Sequence, residues 1–245
     1  MPYIYENSSN PMDFFQRYPH KVKVINLQVD MKIQMEYFEL LSEVFQGRNA
    51  EALAVIPKEN AFNLNLPLDY RKRMLAWLSS SEEVDMLREL EQYEKNCPDD
   101  VKGFVSMCVY QCRTNLESAL LGEHHAVVAS GMGGEGNKVR YFAALITLSG
   151  EAWNTTEQHL LREELKLASK ALDAVVEQLE FSGKYAKMLI LAPITLSPVA
   201  VIHSAKDASN ALGDFISPQE VVTNVARLSD EELDGILKKG GMNFE

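Results

Sequence analysis

The sequence predicts an α+β fold, with a largely helical N-terminal half (residues 1–122, with one early strand) and a mixed β-sheet layer over 123–245 carrying long amphipathic helices on one face. Three features lead there. Apolar residues recur at helical spacing almost without interruption from Tyr37 to Gly122. Beyond His125, segments rich in Val, Ile, Phe, Tyr and Thr alternate with helical spacing, in the order strand, strand, helix, strand, helix, strand, helix. The third is Thr155 to Phe181, where Leu161, Leu165, Ala168, Leu172, Val175 and Leu179 fall three and four apart. This reads as a single amphipathic helix of about 40 Å at the 1.5 Å rise of an α-helix. The two halves form one composite domain or two touching ones.

In chain order, Pro2, Pro11 and Pro19 make the first twenty residues irregular, and Phe14, Phe15 and Tyr18 anchor them. Lys21–Asp30 alternates as a strand whose phase changes near Val24, as at a bulge. Helices are expected over Lys32–Phe45, ended by Gly47, and over Ala50–Ile56, stopped by Pro57. Another begins near Pro67 with Asn65 as its cap, and one restarts after Ser81. The next, after Pro98, carries Val101, Phe104, Val105, Cys108, Cys112 and Leu116 on one stripe and closes at Gly122. Strands follow over His125–Met132 and Asn137–Gly150, on either side of a glycine-rich loop. After the long helix, Lys184–Pro193 is a buried strand. Pro198 opens and Gly213 closes a further helix, and Gln219–Val225 is a strand. Ser229 with Glu232 forms a capping box for a terminal helix, with acids in the first turn and Lys238 and Lys239 in the last.

Composition narrows the function classes. The 245 residues are 46% hydrophobic and 24% charged, as in ordinary globular proteins. The net charge of −11 is spread evenly, with 13 basic and 18 acidic residues up to Leu121 and 11 and 17 beyond it. Neither half has the basic balance of a nucleic-acid-binding domain, and the basic run Arg71–Arg73 reads as a solvated helix face. Without a signal-like start or an apolar run of about 18 residues, the chain is expected to be soluble and cytoplasmic, with no membrane partner. Three cysteines do not make a disulfide framework, and Cys108 and Cys112 share an apolar stripe, so core packing is expected of them. The triplet at Asn154–Thr156 matches a glycosylation site by chance.

The sharpest local signal is Ser130–Arg140, SGMGGEGNKVR. Gly131 and Gly136 have the outer spacing of a phosphate-binding loop, in which glycines let backbone N–H groups converge on oxyanions. The pattern then departs. Asn137 stands where the lysine belongs, Lys138 is displaced, Val139 follows, and the next segment is a strand rather than the helix whose N-terminus would hold phosphate. The candidate ligand-binding residues are therefore Gly131, Gly133, Gly134, Gly136, Asn137, Lys138 and Arg140, the last two sharing one side of a strand as the charges facing an anion. A plain connection is preferred, then a ligand- or partner-gated loop, then a nucleotide-phosphate site. In the plain reading the loop is exposed and mobile, with at least one basic residue unpaired.

Other constellations point to no chemistry. His124 and His125 are adjacent and diverge on an extended chain, and no second pair completes a zinc-like set. No nucleophile elbow, metalloprotease or kinase motif occurs. His159 and Glu163 form a surface pair, and His203 lies on a polar helix side. No catalytic residue, cofactor or metal is expected. The leading functional expectation is an interaction or regulatory protein without its own catalysis, and the alternative is a protein or enzyme that binds an anionic small molecule through residues 131–140. Partners would be a protein, a second copy, since so long a helix offers surplus apolar surface, or that anion, and not nucleic acid.

Overall fold

A computed structural model describes residues 16–27, 29–45, 49–122, 126–128 and 130–238. The described elements are β1 (Val22–Val24), α1 (Met31–Phe45), α2 (Asn49–Ala54), a 3-10 helix (Lys58–Phe62), α3 (Leu68–Leu78), α4 (Val84–Asn96), α5 (Asp99–Leu121), β2 (Ala126–Val128), β3 (Gly134–Glu135), β4 (Lys138–Thr147), α6 (Thr155–Ala171), β5 (Val175–Ser182), β6 (Tyr185–Pro193), α7 (Pro198–Leu212), β7 (Ile216–Thr223) and α8 (Asp230–Lys238). The α+β class is as predicted, but the main sheet is antiparallel rather than mixed and carries helices on both faces instead of one. The chain divides into two compact units, one over 27–129 and the other combining the segment before Leu27 with that from Ser130 onward.

The first unit is almost wholly helical. Its core is built on Tyr37, which is fully buried, shares a 2.9 Å hydrogen bond with Ser79 Oγ and meets the Phe104 ring edge-on at 5.5 Å. Met74, Leu75, Leu90, Val105 and Cys108 of the same unit are likewise fully buried. Arg71 corrects one expectation, because it stands one turn before Met74 and Leu75 and therefore lies on the inward face of α3. Its guanidinium is buried and donates to the Leu66 carbonyl (3.2 Å) and the Tyr93 hydroxyl (3.0 Å). Lys72 and Arg73 pair with Glu36 (2.6 Å) and Glu43 (2.7 Å). The basic run is thus bonded within the unit, with Arg71 buried, Lys72 largely covered and Arg73 on the exposed side. Asn65 does not cap α3; Pro67 precedes its first residue and no side chain caps it. Gly122, in the left-handed region at φ 67°, ends α5 as predicted. The proposed stop at Gly47 and the adjacent His124 and His125 lie outside the described residues.

The second unit is a five-stranded sheet in which every pairing is antiparallel. Strand β4 is central. It pairs with β6 along its whole length, from Lys138 opposite Pro193 to Ile146 opposite Tyr185, and β5 lies beyond β6. On its other edge β3 and β7 follow one another, at Lys138–Val139 and at Phe142–Thr147. Two interleaved units, β4-α6-β5 and β6-α7-β7, therefore give the spatial order β7-β4-β6-β5, the ferredoxin-like arrangement. Strands β4 and β6 are apolar in both phases, so both sheet faces must be covered. One face carries Ala143, Leu145, Met188 and Ile190 beneath Leu161, Leu165 and Ala168 of α6 and Val201, Ile202 and Ala205 of α7. The opposite face carries Phe142, Ala144, Ile146, Tyr185, Leu189 and Val221, and it receives Leu233, Ile236 and Leu237 of α8.

The 27-residue helix predicted over 155–181 is instead a 17-residue helix followed by a strand. At Asp173 the backbone enters the left-handed region (φ 51°), and the Ala174 N–H closes on the Ser169 carbonyl at 2.8 Å. The β-branched pair Val175–Val176 then starts β5. Leu172, Val176, Leu179 and Phe181 join the core as sheet and turn residues. The apolar rows that the sequence assigns to one long helix are accordingly divided between α6 and β5, with Val175 47% exposed. The start of α6 carries a signal absent from the sequence reading: Asn154 accepts the Thr156 and Glu157 N–H groups at 3.0 Å, and Glu157 completes a capping box.

This division sets a stability test. Leu165→Ala, at a position 1% exposed, is expected to cost about 2–5 kcal/mol in chemical denaturation. Val175→Ala, at a position 47% exposed, is expected to cost below about 0.5 kcal/mol. A continuous helix with both residues inward would make the two losses comparable.

Candidate functional site

The glycine-rich segment folds back on the sheet, and each of its glycines meets a local steric demand. Gly136 (φ 58°) and Asn137 form the two-residue turn between β3 and β4, and Gly133 (φ 69°) makes the preceding bend. At Gly131 a Cβ would run into the Val225 carbonyl, and at Gly134 into the Lys138 carbonyl and the Val24 side chain. The latter two are therefore sites of close chain approach.

The backbone groups are bonded within the unit. The Gly133 N–H donates to the Ser130 carbonyl (3.0 Å), while Ser130 Oγ donates to the Gly133 carbonyl (3.0 Å). Met132 N–H donates to the Asn224 carbonyl (3.1 Å), which continues the line of β7 along β4 after Thr223. Val24 N–H reaches the Gly136 carbonyl (2.7 Å), and Ile194 N–H the Asn137 carbonyl (2.9 Å). Met132, Gly133 and Gly134 are buried. The exposed, mobile loop expected from the sequence is in fact a junction tying β1, β4 and the end of β7 together.

Both basic residues are paired, contrary to the expectation that one would stand unpaired. Lys138 donates to the carbonyl (2.6 Å) and carboxylate (2.9 Å) of Asp173, the residue whose left-handed conformation ends the α6 turn. Arg140 forms a two-pronged ion pair with Glu177, at 2.5 and 2.8 Å, and donates to the Met132 carbonyl at 3.1 Å. Their partners lie on or beside β5, so both side chains reach over β6. The Arg140 hydrogen bonds hold the Glu177 carboxyl below its ordinary range and push the guanidinium up. Of the seven candidate residues, the fold brings Lys138 and Arg140 onto one strand, but it directs both at carboxylates, and it spends the glycines on turns and close contacts.

A feature the sequence reading missed lies on the α8 side of the sheet. A groove of about 390 Å³ is lined by Phe142, Leu189 and Leu228 with Gln178, Glu180, Lys187 and Arg227. Phe142, Leu189, Gln178, Glu180 and Lys187 come from β4, β6 and β5, while Arg227 and Leu228 belong to the connection into α8. The available signal was the double apolar phase of β4 and β6, which requires a second covering layer. Helix α8 packs on that face through Leu233, Ile236 and Leu237. It is held by its capping box, with Ser229 N–H donating to Glu232 Oε2 (2.8 Å) and Glu232 N–H to Ser229 Oγ (3.2 Å). Asp230 meets Lys187 (2.8 Å) and Ser182 (3.0 Å), and Asp234 meets Lys184 (2.7 Å) and the Tyr185 hydroxyl (2.5 Å). Those contacts hold both aspartates below the usual carboxylate range.

Elsewhere, Cys108 and Cys112 are buried in the helical core, and burial pushes both thiols up, Cys112 to about 11. His159 is exposed, and His203 Nε2 lies 2.6 Å from the Glu220 carboxylate, which also accepts from Lys206 at 2.5 Å. Among the described residues, no three His, Cys, Asp or Glu side chains are grouped to hold a metal ion, and no helix is long and apolar enough to cross a membrane.

No family model and no curated protein matches the sequence. Among solved structures, the chain is similar to a protein of Deinococcus radiodurans R1 described as a candidate transposase, with 14% identity and a TM-score of 0.35 over 43% of this chain and 93% of that one.

Two measurements check the junction. Gly131→Ala and Gly134→Ala should each destabilise by about 2 kcal/mol or more, because the new methyl group meets backbone. Gly136→Ala, where a Cβ faces open space, should cost about 1–2 kcal/mol for its left-handed conformation. Because the Glu177 pKa is lowered in the folded chain, its pairing contributes stability above the ordinary carboxylate range and loses it as pH falls through the lowered value. Denaturation across acidic pH should therefore show a smaller fall in stability for Glu177→Gln than for the parent chain.

Proposed function

We propose that the chain is a soluble, cytoplasmic interaction or regulatory protein without catalysis of its own, and that it engages a protein partner through the α8 side of its antiparallel sheet. The observation carrying this reading is the groove beside α8, where the partly buried Leu228 lies between side chains of both signs, Glu180 and Arg227, above the buried Phe142 and Leu189. An apolar centre within a polar rim suits a polypeptide surface. Support also comes from residues 131–140. An anion there would have to displace the carboxylates of Asp173 and Glu177 and reopen amides already bonded to carbonyl groups. Fold alone does not decide function, so the weight rests on these side chains.

The test compares affinity capture by the full chain, by a rim variant carrying Glu180→Arg and Arg227→Glu, and by Lys138→Ala. A protein retained by the parent and by Lys138→Ala but lost from the rim variant is the expected outcome. In parallel, a thermal-shift screen of nucleotides and phosphorylated metabolites should be flat. A compound that raises stability by about 2.7 kcal/mol at a hundredfold its dissociation constant, and no longer does so in Lys138→Ala, would replace this reading with the anionic-ligand one.

A further inference from the structure

The sheet of the second unit ends in β7 on one side and β5 on the other, and the fold treats the two edges differently. At β7, Pro218 removes a backbone donor, Asn210 of α7 bonds to both the N–H (2.9 Å) and the carbonyl (3.0 Å) of Ile216, and Lys206 donates to the Pro218 carbonyl (3.4 Å). Prolines and charged side chains of this kind keep a strand edge from pairing with another chain. Strand β5, VVEQLEFS, pairs with β6 alone and holds neither a proline nor a basic residue.

The hairpin into β6 fixes which backbone groups of β5 face outward. Ser182 and Tyr185 flank the two-residue turn at Gly183 (φ 53°) and Lys184, so they form a doubly hydrogen-bonded pair. In steps of two, Glu180 opposite Lys187 and Gln178 opposite Leu189 repeat that pairing, up to the register shift between Val176 and Gln178. The N–H and C=O groups of Leu179 and Phe181 therefore point away from β6, and no described residue bonds them.

The two faces of β5 define what can lie alongside it. On the α6 side, Val176, Leu179 and Phe181 pack on the core yet are only partly buried. On the α8 side, Glu180 is exposed, and its carboxylate has no partner among the described residues. Its cross-strand neighbour Lys187 is held by Asp230 at 2.8 Å. A second copy suits this edge poorly. Antiparallel registers centred on Leu179, Glu180 or Phe181 set Glu180 opposite Gln178, another Glu180 or Ser182, and never opposite a cation.

Resting on the functional reading above, since Gln178 and Glu180 also border the groove, we propose that the protein partner adds an antiparallel strand to the outer edge of β5, and that this strand alternates apolar residues with lysine or arginine. Its apolar residues exchange backbone hydrogen bonds with Leu179 and Phe181 and lie on the α6 side. The basic residue between them stands opposite Glu180 in a non-hydrogen-bonded pair, where facing side chains come closest. Backbone pairing supplies affinity, and the alternating side chains select the partner.

The test uses the full chain, isotope-labelled for NMR, and a terminally blocked octapeptide of alternating valine and lysine. The peptide should slow amide exchange at Leu179 and Phe181, whereas Gln178 and Glu180, already bonded to β6, should change little. A peptide N-methylated on its valines should bind at least about tenfold more weakly, and one N-methylated on its lysines should bind like the unmethylated peptide, because only the valine amides face β5. Glu180→Lys should reverse the charge preference, favouring a valine-glutamate peptide by at least about tenfold. No binding, equal binding of the two methylated peptides, or binding without protection at Leu179 and Phe181 would overturn the added strand. Protection of those amides that rises with chain concentration in the absence of peptide would assign the edge to a second copy and overturn it as well. Arg227→Glu alone, which alters the groove but not β5, separates the two readings. If it loses a captured partner while the peptide protects nothing, the groove stands and the strand is refuted; if it keeps both the partner and the protection, the strand stands without the groove.

Discussion

The second unit depends on the apolar character of β4 and β6 in both phases. A strand that alternates can leave one face in water, but Phe142, Ala144 and Ile146 alternate with Ala143 and Leu145 on β4, and Tyr185 and Leu189 with Ala186, Met188 and Ile190 on β6. Both faces must therefore be covered. Two crossover helices close one face, each arriving with its own start signal, the Asn154 capping box and Pro198. The other face falls to α8, delivered by an irregular connection. It follows that the two covers differ in kind, with two crossover helices on one face and the last described helix on the other.

That asymmetry gives the glycine-rich segment its purpose. Beyond Thr223 the chain must leave the sheet and turn towards α8, and the loop receives it: Met132 N–H holds the Asn224 carbonyl, and Gly131 lets the Val225 carbonyl approach where any side chain would block it. Met132 belongs to the apolar cluster that Leu233 joins. Arg140 binds the loop carbonyl at Met132 while gripping Glu177 on β5, so one side chain links the loop to the far edge of the sheet. The four glycines and two cations that resemble an anion site thus serve as a joint between strands.

Much of the fold was legible in the sequence because its signals are local. The stripe of α5 closing at Gly122, the Pro198 start of α7 and the Ser229–Glu232 capping box are each complete within a few residues, and each is present as read. The error over 155–181 has a physical source. Val175 and Leu179 continue the helical spacing of Leu161, Leu165, Ala168 and Leu172, and the break between them lies at Asp173, an aspartate rather than a glycine in a left-handed conformation. Its stabilising partner, Lys138, is remote in sequence. The candidate site was opaque for the same reason, since the partners of Arg140 and Lys138 lie more than thirty residues on, and the groove exists only once three strands and the α8 connection assemble.

Amide hydrogen–deuterium exchange across the second unit tests the unequal covering of the sheet most directly. The account predicts slow exchange at the central amides of β4 and β6, comparable protection at Met132, Gly133 and Arg140, and earlier, concerted exchange of the whole of α8 relative to α7. Protection of α8 equal to that of α7, or rapid exchange at Met132 and Gly133, would contradict it.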